Sequence, residues 1–185
     1  METYISMLRG INVSGQKLIK MEALKKAYEE LQFKNVTTYI QSGNVIFQYS
    51  SVESFELEQK ISDQIQKKFG FEVPVLVLLP QELKEILNNN PFANDPKKDI
   101  SFLHVTFLAS VPKEPNMEAI SQKMAPGEEF SLVGRVVYLY CPNGYGKTKL
   151  TNTFLESKLK VGATTRNWKT SNLLFTMTEE NTLRY

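Results

Sequence analysis

Val36-Thr37-Thr38-Tyr39-Ile40-Gln41-Ser42-Gly43-Asn44-Val45-Ile46-Phe47-Gln48-Tyr49 is the stretch on which the fold turns. Residues 36–40 and 45–49 are rich in β-branched and aromatic side chains, and Gly43 and Asn44 between them tolerate positive φ, so the segment predicts a β-hairpin. Upstream, residues 3–9 read as a strand ended by Gly10, after which Met21, Leu24, Ala27, Tyr28 and Leu31 recur at helical steps as one apolar stripe. Downstream, Phe55, Glu58, Ile61, Ile65 and Phe69 follow a four-residue step closed by Gly70, with Glu58 where the stripe turns toward water. Residues 73–79 are almost continuously apolar, which predicts a strand covered on both faces. The order β-α-β-β-α-β is that of ferredoxin-like folds, with the first and third strands side by side at the centre.

Beyond residue 80 the pattern restarts. Pro80 fits the first turn of a connecting helix carrying Leu83, Ile86 and Leu87, and the polar run 94–99 with Pro96 reads as a linker. A strand over 102–109, a helix with Met117, Ile120 and Met124, and strands near 130–133 and 136–141 joined by Gly134 and Arg135 follow. A helix over about 148–160 and a last one starting around 165–167 complete the chain. The expectation is an α+β protein of two linked subdomains: a ferredoxin-like one over 1–80, a connecting helix and linker over 81–99, and a second over 100–185 in a related β-α-β-β-α-α arrangement.

The 185 residues suffice for such a pair, and 42% apolar with 23% charged residues supplies a core without suggesting disorder. A net charge of +2 names no partner. One cysteine excludes an intrachain disulfide, and one histidine excludes His-rich metal sites. With no export signal at the start and no apolar run near the ~20 residues of a membrane helix, the expectation is a cytoplasmic protein that needs no membrane, metal or cofactor.

Leu8-Arg9-Gly10-Ile11-Asn12-Val13, Thr38-Tyr39-Ile40-Gln41-Ser42-Gly43-Asn44-Val45, Gly146-Lys147-Thr148-Lys149-Leu150-Thr151-Asn152, and Thr164-Thr165-Arg166-Asn167-Trp168 are four ordered blocks that resemble a bacterial family known as domain of unknown function 1697. The resemblance implies two linked α+β subdomains and assigns no activity. It draws attention to Arg9, Asn12, Ser42 and Asn44.

Gly-Lys-Thr at 146–148 has the ending of a phosphate-binding P-loop, but Cys141 stands where the first glycine is required and Pro142 removes a backbone donor, which excludes a nucleotide-hydrolysing loop. Two weaker readings stand. Either glycines leading into a helix with Lys147 and Lys149 in its first turn form an anion site, or Thr148 caps that helix and the lysines are merely solvated. From residue 144 to 175, Lys147, Lys149, Lys158, Lys160, Arg166 and Lys169 face Glu156 alone, a concentration of charge that attracts phosphate if folding gathers it. Arg166, Asn167 and Trp168, read as another helix start, offer a guanidinium, an amide and an indole to an anion or a base; the plainer reading makes Thr165 a cap and Trp168 a core anchor.

The first half lacks the aromatics of an RNA-recognition module. In the second, Tyr138 and Tyr140 share a strand face, and His104 with Thr106 on the neighbouring strand is expected beside them as a stacking platform, against the alternative that this face is buried. The same parity sets Cys141 apart from His104 and argues against a thiol–imidazole pair. Arg9 and Asn12 read equally as a polar binding loop or as turn chemistry.

The sequence therefore points first to a protein binding a nucleic acid or phosphorylated small molecule through Lys147, Lys149, Arg166 and Lys169, with Trp168 or Tyr138 stacking a base. The alternative is a cofactor-independent enzyme with Arg9, Asn12, Asn44 and Arg166 around an anionic substrate in a cleft between subdomains. A third reading is a protein-interaction module.

Overall fold

The computed structural model describes residues 1–183. Its elements are β1 (Glu2–Leu8), α1 (Met21–Glu30), β2 (Lys34–Tyr39), β3 (Asn44–Tyr49), α2 (Ser54–Phe69), β4 (Val75–Leu78) and α3 (Pro80–Asn88). There follow β5 (Leu103–Leu108), α4 (Met117–Lys123), β6 (Glu129–Val133), β7 (Val136–Tyr140), α5 (Asn152–Leu159), β8 (Ala163–Asn167) and α6 (Trp168–Leu183). The chain is α+β and forms two compact units. One is Met1–Glu85 with Leu173–Tyr185, the other Ile86–Asn172. The division falls between residues 85 and 86, inside α3 and within the 81–99 segment expected to link the units, and again inside α6. Residues 91–99 belong to the second unit, where Lys98 Nζ binds the Asp95 and Glu129 carboxylates at 2.8 Å each and lies over the rings of Phe92 and Tyr140.

In the first unit the strand order is β2-β3-β1-β4, all antiparallel, with β1 and β3 central as the sequence order requires. Alternation sends Tyr4 and Leu8 of β1, Val45 and Phe47 of β3 and Val77 of β4 to the face packed by α1 and α2. Phe47 is the hub there, with ring centroids 4.3 Å from Phe33 and 5.6 Å from both Tyr4 and Tyr28. Such pairs add roughly 0.5–1.5 kcal/mol each beyond area burial. The buried polar pair Ser6 Oγ and Tyr28 Oη satisfies itself at 2.8 Å. Ile5, Met7, Ile46, Leu76 and Leu78, on the other face, are buried too.

α2 differs from its sequence stripe. Leu57, Ile61 and Ile65 are the buried positions, while Phe55 stays exposed. Glu58 does not simply face water; its carboxylate accepts Val77 N–H at 2.9 Å, and Ser62 Oγ donates to Val73 O at 3.0 Å. These side chains occupy one backbone group on the edge strand β4 and one just before it.

The second unit repeats the order as β6-β7-β5-β8, again antiparallel. The α+β subdomain expected there is present, but residues 163–167 form a strand where a helix start was expected. Ala163, Thr164 and Thr165 are small or β-branched and pair with β5, and α6 begins only at Trp168, after Asn167 Oδ1 accepts Thr170 N–H at 2.7 Å as an N-cap. The preceding helix also starts later than residue 148. Residues 145–147 make one 3-10 turn, Thr148 is extended and buried, and Thr151 caps α5 through its hydroxyl to Phe154 N–H at 3.2 Å. Leu108, Ile120, Val137, Leu139, Cys141, Leu150, Leu155, Leu159 and Ala163 form the helix-covered core.

Candidate functional site

The predicted site residues fall into two groups, one in each unit. Arg9 and Asn12 follow β1, and Ser42 and Asn44 lie at the β2–β3 turn; the two loops meet in the first unit. Leu8 N–H donates to Gly43 O at 2.8 Å, and Asn12 Nδ2 donates to Gln41 O at 2.8 Å and to Ile19 O at 2.9 Å. Asn12 Oδ1 in turn accepts Ile19 N–H at 2.8 Å, so both amide hydrogens and the carbonyl of Asn12 hold loop to loop. The loop itself is a small hairpin. Gln16 N–H reaches Val13 O, and Ser14 and Gly15 take φ of 50° and 73°, the signature of a tight type I′ turn. Buried Asn44 donates to Tyr39 O at 3.0 Å and Ser42 Oγ at 3.1 Å, while Arg9 N–H donates to Pro74 O at 3.0 Å. In this turn Ile40 and Gly43, not Asn44, take positive φ, of 52° and 82°, because Asn44 is already the first residue of β3.

The second group is organised by the β5–β8 register, which pairs His104 with Asn167, Val105 with Arg166 and Thr106 with Thr165. Opposed residues of antiparallel strands share a face, and β7 pairs Leu139 with His104 and Tyr138 with Val105. His104 and Thr106 therefore lie on the helix-covered face with Val137, Leu139 and Cys141, whereas Tyr138, Tyr140 and Arg166 lie on the other. The expected platform of Tyr138 and Tyr140 beside His104 is overturned. Tyr138 is buried and donates its hydroxyl to Ile86 O at 2.7 Å.

In the polar strip His104, Thr106, Thr165 and Asn167, His104 and Thr165 are engaged by residues at or just before the start of α5 and Thr106 by Thr165, while Asn167 is exposed. Tyr145 stacks on His104 with ring centroids 4.4 Å apart and planes 18° from parallel. Thr165 Oγ1 donates to Asn152 Oδ1 at 2.7 Å and lies 2.7 Å from Thr106 Oγ1. A hydroxyl has one proton, so Thr106 is the donor to Thr165 and the chain of bonds runs toward Asn152. Thus the block 146–152 and the block 164–168 are joined at one corner of the sheet, through Asn152–Thr165 directly and through Tyr145–His104 beside Asn167. Lys147, Lys149 and Asn167 are exposed at this corner and Trp168 is half-buried. Arg166 is buried; desolvation pushes its guanidinium down to about 10, opposed by the nearby Tyr145 phenol, and it donates to Thr165 O at 3.0 Å. It remains a cation at neutral pH. Sequence reasoning missed Tyr145 and Asn152, and the signal was present: both sit beside the Gly-Lys-Thr segment whose helix start was placed too early.

Cys141 shares the face of His104, contrary to the parity expected, and is buried there. Burial, with the Glu128 carboxylate second, pushes the thiol up to about 11. Glu128 Oε2 accepts Ala125 N–H at 2.9 Å while its buried Oε1 has no hydrogen-bond partner. Among the described residues no three His, Cys, Asp or Glu side chains gather to hold a metal ion, and no helix is long and apolar enough to cross a membrane.

Burial lowers the His104 pKa below its ordinary 6.5, despite the opposing hydrogen bond to Phe102 O. In the unfolded chain the imidazole titrates near 6.5, so below that pH the unfolded state binds more protons and stability falls with pH until the folded value is passed. His104 is the one histidine. Comparing wild type with His104→Gln by urea unfolding at pH 7.5 and about pH 5.5 should show a steeper loss in wild type; equal losses would assign the slope elsewhere.

A solved structure of a conserved bacterial protein from Streptococcus pneumoniae is similar to this chain, with a TM-score of 0.68 and 21% identity over 95% of this chain and 97% of that one. This likeness is one of fold. No curated protein matches. The model of a family described as protein of unknown function, DUF1697, matches residues 1–138, which contain the 8–13 and 38–45 blocks, while the 146–152 and 164–168 blocks lie beyond the match. With more than half of its length matched, the chain belongs to the DUF1697 family.

Proposed function

We propose that the second unit binds a phosphorylated ligand at the corner where residues 145–152 meet the β8–α6 junction. The observation that carries this reading is the Thr165–Asn152 hydrogen bond, which draws together the two blocks that hold Lys147, Lys149 and Arg166, half of the basic residues of the 144–175 segment. Lys147 and Lys149 contact phosphate from the exposed loop, Asn167 and Trp168 flank it, and Arg166 adds field from beneath. The backbone N–H groups of α5 and α6 are not the seat of binding. Thr151 and Asn167 cap those helices, so the side chains carry the site.

Titration of the protein with tripolyphosphate over a series of KCl concentrations tests this. Affinity should fall log-linearly with salt, and the double variant Lys147→Glu, Lys149→Glu, folded by circular dichroism, should bind at least about tenfold more weakly. Unchanged affinity in that variant, or no binding by the wild type at low salt, refutes the reading.

A further inference from the structure

An open groove of about 840 Å³ lies between α2 and the edge strand β4 of the first unit, and a second of about 390 Å³ continues it, since Gln59, Ser62 and Asp63 line both. Phe55 stands in its wall and is 66% exposed, although the sequence stripe would bury it. An apolar ring is rewarded only where water leaves it, so folding does not account for a phenylalanine here, whereas a partner that covered it would. The groove also presents backbone. Glu58 accepts Val77 N–H from the side of β4 away from β1, and strand residues two apart turn their backbone groups the same way, so Val75, which lines the groove, faces its N–H and C=O outward too. From Phe55 to Gln66 the helix rises roughly 16 Å, the reach of about five extended residues. Carboxylates of Glu56, Glu58, Asp63 and Glu72 border this path, while its two lysines are turned to other partners, Lys60 Nζ to Tyr49 Oη at 3.0 Å and Lys17 Nζ to Glu72 O at 2.6 Å. Such a surface repels anions and gives a bare cation no use of the ring; an extended chain that alternates basic and apolar side chains meets both features. We propose that this groove docks an extended basic segment of another protein, with lysine or arginine side chains on Glu56 and Asp63 and an apolar side chain against Phe55. It lies in the other unit from the phosphate corner and stands independently of that reading.

The test measures, by fluorescence anisotropy on the full chain, two dye-labelled hexapeptides, one of alternating lysine and leucine and one of alternating glutamate and leucine. The lysine peptide should bind at least about tenfold more tightly. Phe55→Ser, which removes only an exposed ring and should leave the circular dichroism unchanged, should weaken it about tenfold. Glu56→Lys with Asp63→Lys should abolish the preference for lysine over glutamate, and Lys147→Glu, in the other unit, should leave it intact. A wild type that binds the two peptides equally or binds neither overturns the proposal, a comparison that needs no variant to fold; so does a lysine peptide that binds Phe55→Ser as tightly as wild type. Spermidine, a cation without apolar side chains, should bind more weakly than the lysine peptide, and equal binding would reduce the groove to a cation site and overturn the docking of a chain. Sedimentation velocity should show no self-association that Phe55→Ser removes; if it does, the occupant is a second copy and the proposal falls.

Discussion

Gly43→Ala should destabilise the protein by about 3 kcal/mol, from two causes at one atom. Gly43 has φ of 82°, where an L side chain is strained by roughly 1 kcal/mol, and the added methyl would lie 2.7 Å from Ile11 Cδ1 and 2.9 Å from Leu8 Cβ. The isoleucine tip can swing aside. Leu8 Cβ cannot, because it moves only with β1, and β1 is fixed to this turn by the Leu8 N–H to Gly43 O bond of 2.8 Å. Overpacking of this kind costs about 1–3 kcal/mol, a large part of the roughly 5–15 kcal/mol that separates folded from unfolded chains. Urea unfolding with an unchanged m-value is the measurement, and a loss below about 1 kcal/mol would show that the turn yields.

Asn12→Ala should cost a similar amount, about 3 kcal/mol, through lost hydrogen bonds of about 1 kcal/mol each. Asn12 holds Ile19 N–H, Ile19 O and Gln41 O, and it does so at φ of 55°, which alanine resists. Asn12→Asp is the sharper variant: it retains the acceptor for Ile19 N–H but turns a carboxylate oxygen toward two carbonyls. Because the loss begins in the loop, tryptic cleavage after Lys17 should accelerate more than global unfolding explains, and cleavage that merely tracks global stability would contradict the anchoring role. Asn12 also attracts a ligand reading, and its bonding explains the residue without a ligand.

The first unit was legible because its signals are local. A strand–turn–strand run, a three- and four-step apolar stripe and a glycine after Phe69 each act within a few residues, and Gly70 indeed closes α2 with φ of 80°. The second unit misled where tertiary pairing overrode the local reading. Thr164-Thr165-Arg166-Asn167 resembles a helix start in isolation, but an open edge of β5 offers its backbone a ladder, and the cap moves to Asn167. Likewise Thr148 looks like a cap, yet Thr151 caps α5, because the buried side chain of Leu150 has to enter the core before the helix begins.

Sequence alone determined the α+β class, the order of elements through β4, the exclusion of an intrachain disulfide and the cationic surplus of the last third. These depend on composition and on period, which are properties of neighbours along the chain. Tertiary structure alone decided which face His104 shares, that Arg166 is buried while Lys147 and Lys149 are not, and that residues 146–152 and 164–168 meet. Strand register governs the faces of His104 and Arg166, and because side chains alternate with a period of two, a pairing shifted by one residue would send each of those two to the opposite side of the sheet; the loop placement of Lys147 and Lys149 and the meeting of the two segments depend on long-range packing.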